Sequence, residues 1–154
     1  MAQIQHALEL DPFNSLFQSL YSAHLLYARR YDDAIAQARS ALRTSPDDPV
    51  ARNILWFAVS LKGMYKEAFA ECKAYLNSQY GDRQVQDALD RGYAQGGYPG
   101  GMRRAAEALA ARFRKTYALP FDIAALYLGA GEIAQALEWL EKGFEARDPN
   151  LPYL

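Results

Sequence analysis

The sequence predicts an all-α fold in which helix pairs stack into a right-handed superhelix of about four and a half repeats and nine helices. Three observations carry that prediction. Ala and Leu, at 27 and 19, supply 46 of the 154 residues, whereas Val, Ile and Thr together number ten. The branched residues are too few for a sheet, and Ala and Leu favour helices. Residues also return every 34 positions, as do Pro12 and Pro46, Leu8, Leu42 and Leu76, Tyr31 and Tyr65, and Gly63, Gly97 and Gly131. Within each period the apolar positions follow one helix face: Tyr21, Leu55, Leu89 and Ile123 are joined four residues later by Leu25, Val59, Tyr93 and Tyr127.

Taken in order, residues 2–10 read as the second helix of an incomplete leading repeat. Asn14, Asp48 and Asp82 are suited to cap the first helices of the next three pairs, and Pro49 to the first helical position. They predict helices over 14–29, 49–62 and 83–95. Second helices follow an Arg or Gly corner at Arg30-Tyr31, Gly63-Met64 and Gly131-Glu132, which predicts 31–44, 65–79 and 132–146. Small Ala34, Ala68 and Ala136 let the two helices of a pair approach closely. The remaining helices fall at 101–116 and 120–130. The run Gly96-Gly97-Tyr98-Pro99-Gly100-Gly101 admits two registers, with Gly97 in column or with Gly101 in the small-residue slot. The whole chain, 1–154, reads as a single domain with a half repeat at 1–12 and full repeats at 13–46, 47–82, 83–116 and 117–150, the third irregular.

Composition excludes several classes of function. With 17 basic and 18 acidic residues the net charge is −1, so long-range attraction to nucleic acid is absent. Cys72 is the only cysteine and His6 and His24 the only histidines, too few for a Cys/His metal site. No cofactor is expected, since the glycine run lacks the Lys-Ser/Thr of a phosphate loop. No apolar run approaches the roughly 20 residues of a membrane span. The opening residues lack a secretion signal, which favours a cytoplasmic location, or a periplasmic one behind an upstream membrane segment. Catalysis has no assembled nucleophile, base and orienting group, so the expectation is a non-enzyme. Asp32-Asp33 and Asp47-Asp48 stand at helix starts, where carboxylates suit the dipole. Cys72 falls in a core column. The basic run Arg103, Arg104, Arg112, Arg114 and Lys115 is expected to meet the acidic last helix, with Glu138, Glu141 and Glu145.

The segments Tyr31-Asp32-Asp33-Ala34-Ile35 through Ala41-Leu42-Arg43-Thr44-Ser45-Pro46, Gly63-Met64-Tyr65-Lys66-Glu67-Ala68 and Ala7-Leu8-Glu9-Leu10-Asp11-Pro12 resemble the tetratricopeptide repeat. The closing part, from Leu119-Pro120-Phe121 to Glu141-Lys142, is similar to the C-terminal repeat tails of multidomain bacterial signalling proteins. Gln18, Arg52, Gln86 and Pro120 depart from the large residue the family favours in their column, and Trp56 and Asp90 from a small one.

The resemblance implies a non-catalytic scaffold whose concave groove, lined by first helices, binds a protein or peptide, as part of a larger signalling or regulatory protein. Three columns face that groove: Ser19, Asn53, Asp87 and Phe121; Ala23, Phe57, Arg91 and Ala125; Leu26, Ser60, Ala94 and Leu128. Ser19, Ala23 and Ile54 stand at the Lys, Asn and next Asn places of the family's Lys/Asn/Arg carboxylate clamp, which disfavours acidic chaperone tails. The alternative is a small-ligand or oligopeptide sensor that switches an attached effector through a closed polar pocket around Asn53, Asp87 and Arg91. Homo-oligomers are a further expectation, through the open ends at Ile4 and Leu8 or at the last helix.

Overall fold

The computed structural model describes residues 2–113, 116 and 118–150. Eight helices make up its regular structure, and no strand occurs among the described residues: α1 (Ala2–Leu10), α2 (Ser15–Tyr27), α3 (Tyr31–Thr44), α4 (Pro49–Leu61), α5 (Tyr65–Tyr80), α6 (Arg83–Phe113), α7 (Pro120–Gly129) and α8 (Ile133–Glu145). The fold is all-α, with helices packed in consecutive pairs as in a tetratricopeptide-like repeat. Contacts divide it into two compact units, residues 1–79 and 80–154.

In the first unit α1 packs on α2, α2 on both α3 and α4, and α3 on α4. Local sequence places the starts of α2 and α4. Asn14 accepts from the Phe17 amide at 3.2 Å, and Asp48 accepts from Val50 and Ala51 at 2.9 and 3.0 Å. Arg29 and Gly63 turn the corners with φ of 59° and 72°. Ala34, Ala38, Ala68 and Cys72 have no exposed surface, because the close helix approach leaves no room for water. The off-pattern residues Gln18 and Arg52, one period apart, make equivalent hydrogen bonds. Each donates to the carbonyl of the preceding loop proline, Pro12 and Pro46 respectively, at 2.6 Å. Trp56, also off pattern, is buried against Phe57 and Tyr75, with ring centroids 4.9 and 6.0 Å away. Cross-helix pairs Arg39–Glu67, Arg52–Glu71 and Lys62–Asp32 complete the unit.

The second unit corrects the helix count to eight, because the stretch expected as two helices runs as one element, α6. Its backbone leaves helical geometry at Gly96 and Gly97. Both candidate registers contribute. Gly97 carries the positive φ (61°) of its column, shared with Arg29, Gly63 and Gly131. Gly101 fills a close-approach slot, where an added Cβ would lie 3.3 Å from the Leu89 carbonyl oxygen and from the Tyr93 Cβ. Gly101 follows Gly97 by four positions where Ala68 follows Gly63 by five, so the corner between the two arms is one residue tighter. The arms touch backbone to backbone: a Cβ on Gly92 would overlap the Gly100 carbonyl, with its carbon only 2.8 Å away.

Asp82 caps the start of α6 through the Gln84 amide at 2.8 Å and also takes a hydrogen bond from Arg112 at 2.6 Å. That guanidinium holds the Asp82 carboxyl below the usual carboxylate range. α7 has no side-chain cap from Leu119. Distant groups serve its start: the Tyr80 hydroxyl accepts from the Leu119 amide at 3.2 Å and donates to buried Asp122 at 2.5 Å, and buried Asp148 accepts from the Phe121 amide at 2.9 Å. Burial, and then the neighbouring Asp122 charge, push the Tyr80 hydroxyl far above the ordinary tyrosine range.

Candidate functional site

On α2, residues 16, 19, 23, 26 and 27 share a face by helical spacing, and on α4 residues 50, 53, 57, 60 and 61 do. Both helices belong to the first unit and pack together. Of the expected groove residues on α2, Ser19 and Leu26 are buried and Ala23 is half-buried. The Ser19 hydroxyl is shared between the Ser15 carbonyl (2.8 Å) and the Asp48 carboxylate (2.7 Å), so it serves the α4 cap and is closed to a ligand. Leu26 is core for the same reason of burial. Asn53, Phe57 and Ser60 on α4 are half-buried.

Sequence reasoning passed over the most exposed members of these faces. Leu16, Tyr27, Val50 and Leu61 are 56, 54, 40 and 61% exposed, high values for large apolar groups. They sit three or four residues from the chosen columns, so the helical spacing carried the signal. On the α4 face the Asn53 side-chain nitrogen is buried with no hydrogen-bond partner. An amide donor in that condition raises the free energy of the face, and a ligand acceptor meets it only when the half-buried side chain turns outward.

The second unit holds the other expected residues. Asp87 and Arg91 are exposed, with Asp87 3.9 Å from Arg83, and Ala94 is exposed on the same helix. On α7, Phe121 and Ala125 are half-buried and Leu128 is 63% exposed. Leu128 is thus the one large apolar group that these columns expose in the second unit.

The basic run is balanced, though by other acids than those expected. Arg103 pairs with Glu132, Arg104 with Glu107 at 3.0 Å and Arg112 with Asp82. Arg114 and Lys115 lie outside the described residues. Lys142 instead takes up Glu138 at 2.6 Å and stands 4.3 Å over the Trp139 ring. Asp32 and Asp33 pair with Lys62 and Arg30, and Asp48 caps α4, which gives these carboxylates structural work. His6 contacts Glu9 at 3.2 Å, and His24 is exposed beside a recess of about 330 Å³ lined by Gln3, Ile4 and Ala7. No described helix is long and apolar enough to cross a membrane.

Fold and face together define an all-helical repeat protein with an open apolar surface on its first unit. No protein-family model matches the chain. Over 84 residues, 54% of its length, it is 34% identical to Protein STIP1 homolog of Dictyostelium discoideum, a tetratricopeptide-repeat protein. The match spans 15% of that relative's length.

Proposed function

We propose that the protein is a non-catalytic adaptor that binds a segment of a protein partner on the α2/α4 face. The observation that carries this reading is the exposure of the large apolar Leu16 and Tyr27 on α2 and Val50 and Leu61 on α4, with the unpartnered Asn53 nitrogen on the same α4 face. Apolar side chains of the segment give affinity, and a carbonyl oxygen accepting from Asn53 fixes its position. The partial match to a tetratricopeptide-repeat protein supports protein binding, since curved helical repeats present such faces. Membership of a larger regulatory polypeptide belongs to the same proposal, with the repeats at 13–46 and 47–82 forming the binding face.

The test is a random peptide library displayed on phage and selected on the 154-residue chain. Selected peptides should bind Phe57→Glu and Asn53→Leu variants at least about tenfold more weakly. If both variants hold the same peptides as tightly as the parent, the α2/α4 face is not the binding surface.

A further inference from the structure

The last helix carries an apolar stripe that its own unit leaves open. Ile133, Leu137 and Phe144 are 63, 56 and 80% exposed, and Leu140 between them is half-buried. Positions 133, 137, 140 and 144 fall on one helix face, turned away from the buried face formed by Ala136, Trp139 and Gly143. The same columns occur 102 residues earlier as Tyr31, Ile35, Ala38 and Leu42 on α3. There the next helix, α4, packs on α3, and Ile35 and Ala38 are 5 and 0% exposed. Among the described residues no helix covers the corresponding stripe on α8.

We infer that the covering helix is α8 of a second copy of this chain, laid antiparallel about a two-fold axis. The stripe is self-complementary, because its four residues lie symmetrically about the midpoint between Glu138 and Trp139. An antiparallel pair sets Ile133 of each copy on Phe144 of the other and Leu137 on Leu140, as an isologous contact requires. The charges agree. Exposed Glu141 and Glu145 flank the stripe at its C-terminal end. The N-terminal end has no side-chain cap from Glu132, and Arg103, half-exposed, stands there beside Glu132. Antiparallel pairing brings the acidic end of one copy to the uncapped amides, the positive dipole end and Arg103 of the other. A parallel pair would place acid on acid. Ile4 and Leu8, at the other end of the chain, are half-buried and offer no comparable stripe.

Sedimentation velocity of the 154-residue chain from about 1 to about 500 µM tests this. The expected result is a mass rising from that of the monomer, 17.3 kDa, to that of the dimer. Leu137→Glu, an exposed site whose helicity circular dichroism verifies, should raise the dimer dissociation constant about a hundredfold, since two-fold symmetry counts the change twice. Register is read separately with a short bismaleimide: an equal mixture of Ile133→Cys and Phe144→Cys chains should cross-link, and neither alone. Cys72, being buried, does not compete. A constant monomer mass, a dimer indifferent to Leu137→Glu, or self-linking of Phe144→Cys as efficient as the mixture would each overturn the inference. None of these readings depends on the α2/α4 face.

Discussion

The two units fill the same role in the repeat by different means. In the first, the starts of α2 and α4 are served from close by: Asn14 and Asp48 cap the helices that begin one residue later. In the second, α7 starts without a cap of its own and borrows Tyr80 from the end of α5 and Asp148 from beyond α8. Close approaches differ likewise. The corner glycines Gly63, Gly97 and Gly131 all have open space beside them, but in the arms of α6 Gly92 and Gly100 press backbone on backbone. Buried charge differs too, since Asp122 and Asp148 are almost fully covered in the second unit. A regular repeat is held by short-range signals of about 1 kcal/mol each. Where the register slips by one residue those signals no longer line up, and buried polar groups distant in sequence hold the helices instead. Such groups are costly to break, because a removed partner leaves the other buried and unpaired.

That contrast can be broken most directly at the glycines. Gly92→Ala should destabilise the second unit by about 3 kcal/mol, since backbone must move to admit the Cβ. Gly63→Ala in the first unit should cost only about 1 kcal/mol, from its positive φ alone. Urea unfolding followed by circular dichroism compares the two; equal losses would remove the distinction between an open corner and the backbone contact of the α6 arms.

Next in size is the borrowed cap. Tyr80→Phe should cost about 2 kcal/mol, as it strips the Leu119 amide of its acceptor and Asp122 of a donor. Because the folded state raises the affinity of Tyr80 for its proton, the parent's stability is fully present below about pH 10 and falls as pH rises above it. Tyr80→Phe should lose that part of the alkaline decline. A parent and variant with parallel decline above pH 10 would show that Tyr80 is not held neutral by this network.

The local cap gives a smaller effect. Asp48→Ala should cost about 1 kcal/mol and expose the α4 start to faster amide exchange at Val50 and Ala51. Asp82 is the counterpart in the second unit. Its lowered carboxyl affinity for protons contributes stability above about pH 4, lost as pH falls further, and Arg112→Gln should flatten that acid-side slope. The smallest change is expected on the surface, where Arg39→Gln should alter stability by less than about 1 kcal/mol despite the 2.5 Å contact to Glu67. A loss several times larger would mean that cross-helix ion pairs, and not caps and small residues, hold the first unit.

Much of this molecule was legible in residue order because its signals are local. The 34-residue period, the Ala and Leu content and the caps Asn14, Asp48 and Asp82 each act within a turn or two of helix, and each stands where the spacing put it. Apolar periodicity found the core columns, and the buried Cys72 with them. The proposed binding face was less legible. Ser19 and Leu26 sit in outward columns yet are buried, because exposure depends on which neighbour covers a side chain. Leu16 and Tyr27, a short step around the same helix, are left open for the same reason.

Residue order alone thus settles the all-helical class, the 34-residue spacing and the starts of α2 and α4 in the first unit. Packing in three dimensions settles the rest: 83–113 folds as one kinked element, Tyr80 and Asp148 complete the start of α7, Arg103 meets Glu132, and Asn53 keeps an unused donor. Range explains the division. Propensity, capping and amphipathic spacing act between residues a few positions apart, whereas the partner of a buried polar group is chosen by packing between helices that the sequence separates by 27 to 42 residues.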